Sequence, residues 1–194
     1  MRARYHLERP FVLAAGTLEP RKNLVRLMDA FAALQPELIE THELVLVGPR
    51  GWETSEIFDR AHALRTSVRV LGHVSDEDLA ALYHLCDVFG YPSLYEGFGL
   101  PVLEAMSAGA AVLTSNVSSL PEVGGDAVAY VDPREVDSIR AGLEQLLISP
   151  HERARLGKLA RRRAPLFSWS RTAGEMLAGL TALGPETEVD PRRV

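Results

Sequence analysis

Apolar residues recur along this chain in two rhythms that take turns. Short, near-continuous blocks at 11–15 (FVLAA), 43–47 (ELVLV), 68–71, 88–91 and 111–114 have the length and β-branched content of buried strands. Gly16-Thr17, Gly48-Pro49 and Gly72 stop the first three, and 127–131 is a candidate sixth strand. Between the blocks the spacing becomes helical. Leu24, Leu27, Met28, Phe31 and Leu34 form one stripe, Leu79, Leu82, Tyr83 and Cys86 a second, and Ile139, Leu143, Leu146 and Leu147 a third. A polar helix is expected over 54–67, and Ser75 three residues before Asp78 reads as a helix start. Strands buried on both faces and separated by amphipathic helices predict an α/β fold, a doubly wound, Rossmann-like parallel sheet. In such sheets ligands bind beyond the carboxyl ends of the strands, so the strand-to-helix loops are where chemistry is expected.

The 194 residues suit one domain, expected to span 1–183, with 184–194 (GPETEVDPRRV) as a frayed polar tail. A content of 46% hydrophobic and 24% charged residues is that of a chain with a substantial core. The net charge of -5 argues against a nucleic-acid partner. Cys86, the single cysteine, excludes an internal disulfide and reads as a small core residue in a helix. Without a Cys/His cluster, no metal site is expected. No apolar run reaches the ~20 residues of a membrane span and residues 1–10 lack a signal-peptide core, which makes a cytoplasmic location the expectation. The stretch 150–163 holds Arg153, Arg155, Lys158, Arg161, Arg162 and Arg163. It reads chiefly as a solvated charged face, with anionic lipid or a protein partner as the alternative.

Two loops carry the candidate chemistry. In 16–23 (GTLEPRKN), Gly16 lets the backbone turn at the end of the first strand, and Arg21 and Lys22 come just before a helix. Cations there oppose the helix dipole, a cost of ~0.3–1 kcal/mol that a bound diphosphate would offset. The same pair also suits a solvated surface. In 96–104 (EGFGLPVLE), Pro101 opens a helix, and Gly97 and Gly99 permit unusual backbone angles. The amides of Phe98, Gly99 and Leu100 can then face an anion at the positive helix end. Glu96 in the loop and Glu104, expected in the first helical turn, can accept hydrogen bonds from sugar hydroxyls. Taken singly, Glu96 is also a solvated loop residue and Glu104 a carboxylate complementing the dipole.

The Glu-x7-Glu spacing of Glu96 and Glu104 in EGFGLPVLEAMSAG resembles the retaining glycosyltransferases of family four, which have the GT-B fold. The resemblance extends through GTLEPRKN, LGHVSDEDLAALY (71–83), TSNVSSLPEVGGDAVAYVDP (114–133) and FSWSRTA (167–173). It implies that the chain is the C-terminal, donor-binding half of such an enzyme. Arg21 and Lys22 would grip the donor diphosphate, Glu96 would lie by the sugar ring and Glu104 would bind the ribose. Phe98, Gly99 and Leu100 would supply amides, and His73 and Val74 would lie near the nucleobase, His73 being equally an ordinary turn residue. The adjacent Arg21-Lys22 pair resembles a subgroup containing mannosyltransferases of polysaccharide assembly, which implies GDP-mannose as donor and no cofactor or metal. It further implies a missing N-terminal acceptor-binding domain and, for the full enzyme, room for peripheral contact with the inner face of the membrane. A nucleotide-binding regulatory module without transferase activity and part of a nucleotide-sugar epimerase are the alternatives.

Overall fold

A computed structural model describes residues 3–182; the expected tail at 184–194 lies outside the described residues. They belong to two units, one ending at Ala164 and one beginning at Pro165.

The first unit is built on six parallel strands: β1 (Phe11–Ala15), β2 (Glu43–Val47), β3 (Val68–Gly72), β4 (Val88–Tyr91), β5 (Val112–Ser115) and β6 (Ala129–Val131). Their spatial order is β3-β2-β1-β4-β5-β6. Alternate strand residues serve opposite faces. Val12, Leu44, Leu46, Val88 and Leu113 enter one apolar cluster, while Phe11, Leu13, Val45, Phe89 and Val112 enter the other. The first cluster is closed by α1 (Leu24–Ala32), α3 (Ser55–Ala63) and α7 (Val136–Ile148), the second by α4 (Asp76–Leu85), α5 (Leu100–Ala108) and α6 (Leu120–Gly124). Every central strand is thus buried on both sides, the physical reason its sequence shows no alternation.

α2 (Pro36–Thr41) is a helix the pattern does not announce. It has six residues, none fully buried, and only Leu38 and Ile39 lean on the core, too few positions to set a period. α3 ends at Ala63 rather than at 67, and Cys86 is the half-buried residue that ends α4, not a member of it. Ser75 does cap α4, its hydroxyl accepting from the Asp78 amide at 3.2 Å.

The basic stretch is α8 (Pro150–Arg163), and the solvated-face reading of it needs correcting. Arg153 donates to the Leu146 and Leu147 carbonyls at the end of α7, Arg161 to Ala108 at the end of α5, and Arg163 to Glu122 and Val123 in α6. Three arginines therefore cap the carbonyl ends of three helices, where a cation also meets the negative end of the dipole. Gly157 permits this, because a Cβ there would lie 2.5 Å from the Gly109 carbonyl oxygen.

In the second unit α9 (Trp169–Ala182) is preceded by Ser168, whose hydroxyl accepts from the Arg171 amide, and carries an Arg171–Glu175 pair one turn apart. No helix among the described residues is long and apolar enough to cross a membrane.

Candidate functional site

In this strand order the connections leave to opposite sides at β1 and β4, so a crevice opens between their carboxyl ends. Both candidate loops emerge there. After β1, Gly16 takes φ 134° and a 3-10 turn, Pro20–Lys22, follows. Asn23 then adopts the left-handed conformation, φ 61°, before α1 begins. Its side-chain amide donates to the carbonyls of Pro92 at 2.9 Å and Pro133 at 2.6 Å, locking the loops after β1, β4 and β6 to one another. The Leu94 amide donates to the Arg21 carbonyl, a second tie between the first two.

These ties put Lys22 against Glu96. The Lys22 ammonium donates to Glu96 Oε1 at 2.8 Å and to the Tyr91 hydroxyl, and the Tyr91 hydroxyl donates to the same Oε1 at 2.8 Å. Arg21 pairs with the other carboxylate oxygen, Oε2, at 2.6 Å, with Glu19 at 2.6 Å, and donates to the Tyr95 carbonyl. Lys22 and Glu96 are only 9% and 7% exposed, which removes the solvated reading for both of them, while the Arg21 side chain stays partly exposed. Burial works to raise the Glu96 carboxyl, but the hydrogen bonds from Lys22, Arg21 and Tyr91 outweigh it and hold it below the ordinary glutamate range. Burial, and then the Glu96 charge, push the Tyr91 phenol far up, so its proton stays in place to donate.

A lowered carboxyl contributes stability that is present above its unfolded value and is lost as pH falls through its folded value. Glu96→Gln should therefore melt below wild type at pH 7, and the gap should narrow progressively as the pH falls below the ordinary glutamate range toward the lowered folded value. Melting curves of the two proteins from pH 7 to pH 3 check this, and a gap that does not narrow over that range contradicts the assignment.

The loop after Glu96 is held from α6's side. Ser118 accepts from the Glu96 amide at 3.1 Å, and Ser119 donates to the Glu96 and Phe98 carbonyls at 3.0 and 2.8 Å. With its carbonyls tied down, the Gly97, Gly99 and Leu100 amides donate no bond to another described residue, and the Gly97, Phe98 and Leu100 surfaces are exposed. Gly99 has φ 106°, and a Cβ there would lie 2.8 Å from Leu120. Gly97 differs from expectation: its φ is not positive and a Cβ would meet nothing within 4 Å. The α5 helix begins at Leu100, so Pro101 is its second residue and Glu104 lies beyond the first turn. Glu104 is exposed, accepts from the Tyr83 hydroxyl at 3.0 Å, and borders a groove between α4 and α5 with Asp76 and His84.

The Glycosyl transferases group 1 family model matches residues 3–163. The chain belongs to this family. It is 44% identical over 161 residues to the O-antigen chain mannosyltransferase B of Escherichia coli, an alignment covering 82% of this chain and 42% of the relative. Against an MMP alpha-(1->4)-mannosyltransferase of Mycolicibacterium hassiacum it is 38% identical over 164 residues, covering 82% of this chain and 39% of that protein. The chain thus spans less than half the length of these curated relatives. Among solved structures, the sucrose-phosphate synthase from Thermosynechococcus elongatus superposes with TM-score 0.79 at 28% identity, over 94% of this chain and 48% of that one. Anabaena Alr3699/HepE in complex with UDP-glucose superposes with TM-score 0.80 at 21% identity, over 93% of this chain and 51% of that one, a likeness of fold.

Within this family domain, the residues expected at the site are not equally close. Gly16, Arg21, Lys22 and Glu96 form one contiguous cluster, and the 97–100 loop continues from it. His73 is exposed and lines a separate groove with Gly48, Gly72, Arg50 and Phe58, while the Val74 side chain is in the core, leaving only its backbone to face a ligand. Tyr91, Asn23, Ser118 and Ser119 belong to the arrangement and carry no signal of their own in the sequence pattern, although Asn23 falls inside GTLEPRKN and Ser118 and Ser119 inside the 114–133 segment. No group of three or more His, Cys, Asp or Glu side chains able to hold a metal occurs among the described residues.

Proposed function

We propose that this chain is the nucleotide-sugar-binding part of a retaining glycosyltransferase that moves a sugar from a nucleoside diphosphate to an acceptor hydroxyl in polysaccharide assembly. GDP-mannose is the donor that the mannosyltransferase relatives favour. One observation carries the reading: two cations and a buried glutamate converge on the crevice between β1 and β4, beside a loop whose Gly97, Gly99 and Leu100 amides donate to no described residue. Transfer of this kind builds negative charge on the departing diphosphate. Lys22, Arg21 and the Gly97, Gly99 and Leu100 amides are prearranged donors for it, a form of stabilisation that needs no reorganisation at the moment of reaction. Glu96 would orient the sugar, and Glu104 would hold the ribose from the neighbouring groove. The acceptor would be held by a further domain, as the greater length of the relatives suggests. No metal or cofactor enters this scheme. The family's transferase relatives lend no support to the regulatory-module or epimerase alternatives.

Calorimetric titration with GDP, UDP and ADP in the presence of a chelator tests the proposal. GDP should bind with one site and most tightly; binding by none of the three would overturn it. Glu104→Gln adds a local test. A carboxylate accepts from two hydroxyls where an amide offers one acceptor oxygen, so the preference for ribo- over 2′,3′-dideoxyribonucleotides should fall by roughly tenfold. An unchanged preference removes Glu104 from the donor site.

A further inference from the structure

Tyr91 is the last residue of β4, 3% exposed, at a position whose neighbours ask only for an apolar ring. Its ring stacks on Phe89 with centroids 5.7 Å apart, and Phe89 meets Tyr83 edge-on at 5.1 Å, so the ring is fixed by an aromatic column. Thr114 donates to the Tyr91 carbonyl at 2.9 Å and fixes the main chain as well. A phenylalanine would fill the same space. The hydroxyl therefore answers to something other than packing, and its partners are Lys22 and Glu96.

We propose that Tyr91 is a positioning residue of the donor site, its hydroxyl joining Lys22 to Glu96 and keeping Glu96 in place when a diphosphate draws the cations away. The claim rests on the donor reading above. Glu96 has three donors: Lys22 and Arg21 from the 3-10 turn, and Tyr91 from β4, with Glu19 standing behind Arg21. Two of the three are cations, and they are the groups that an incoming diphosphate attracts most. Without Tyr91, donor binding would strip a buried carboxylate of its partners, and such a group either takes up a proton or swings away. Tyr91 is neutral, immobile and aimed at Oε1, so it retains Glu96 in its ionised form and in one orientation while Lys22 and Arg21 turn to the phosphates.

The test uses Tyr91→Phe in the 194-residue protein, with carboxyl-carbon NMR of labelled glutamate and the Glu96 signal identified by its loss in Glu96→Gln. Circular dichroism and melting confirm that the variant is folded. The Glu96 midpoint should rise by about one pH unit, the size expected for losing one hydrogen bond to a carboxylate. Tyr130→Phe, which removes an exposed phenol bonded to the Pro121 and Gly125 carbonyls and not to Glu96, should leave the midpoint unchanged. In parallel, the gain in affinity on going from nucleoside diphosphate to nucleotide sugar should fall about fivefold or more, while diphosphate affinity stays within about threefold. An unmoved midpoint in the folded variant overturns the proposal, and so does a moved midpoint with the sugar's contribution intact. Failure of the donor reading would show differently, as wild-type protein that binds no nucleotide at all.

Discussion

Replacing Lys22 with alanine is expected to weaken nucleoside diphosphate binding roughly tenfold to a hundredfold, the worth of one charge-assisted hydrogen bond, and to leave binding of the bare nucleoside almost unchanged. The ammonium sits at the crevice between β1 and β4, held by Glu96 and Tyr91, and its only role toward a nucleotide is electrostatic. Binding diphosphate means exchanging the Glu96 carboxylate for a more highly charged anion, so the lysine side chain is already paid its desolvation in the free protein. A nucleoside offers no anion and gains nothing from that exchange. Arg21 remains in the variant and still pairs with Glu96 Oε2, which keeps the carboxylate from being left alone. Titrations with diphosphate and nucleoside side by side are decisive: equal losses for both would mean a folding defect or another site.

Gly48→Ala is expected to destabilise the fold by about 3–5 kcal/mol, enough to lower the melting point by roughly 10 °C or more in a chain of this size. Gly48 has φ 145°, and a Cβ there would stand 1.9 Å from the Gly16 carbonyl oxygen. The Gly16 amide donates to the Val47 carbonyl at 2.9 Å and the Gly48 amide to Gly72 at 2.8 Å, so these three turns are stacked along one edge of the sheet. No soft side chain is available to yield; backbone must move, and it is the backbone that leads to Lys22. Diphosphate binding should suffer along with the melting point. Gly97→Ala is the contrast, with open space around its Cβ position, and should change the melting point by only a few degrees. Similar melting points for the two variants would contradict the close stacking of the turns.

The strands and most helices were legible because burial on both faces writes uninterrupted apolar blocks, and amphipathic packing writes a helical stripe between them. Where those physical causes are absent the pattern is silent. α2 is too short and too shallow to show a period, and the three capping arginines of α8 look like solvated charge because their partners are main-chain carbonyls, which leave no mark in the sequence, two of them reaching carbonyls far away along the chain. At the site, Lys22, Arg21 and Glu96 stood out because charged residues beside strand ends need a reason. Their direct pairing with one another did not, since it depends on the strand order that brings β1 next to β4. In sequence Tyr91 is one more residue of the 88–91 strand block: its ring satisfies the apolar pattern, and only the three-dimensional position of its hydroxyl separates it from phenylalanine. Gly97 and Gly99 look equivalent in EGFG, yet only Gly99 uses a positive φ.

The central claim is that the crevice between β1 and β4 receives a nucleoside diphosphate, and a crystal structure of the protein with GDP tests it most directly. The account predicts the β-phosphate within hydrogen-bonding distance of Lys22 and of amides in the Gly97–Gly99 loop, with Arg21 turned from Glu96 toward the phosphates and the Tyr91–Glu96 bond retained. GDP bound elsewhere, with the Arg21–Glu96–Lys22 cluster undisturbed, would contradict it.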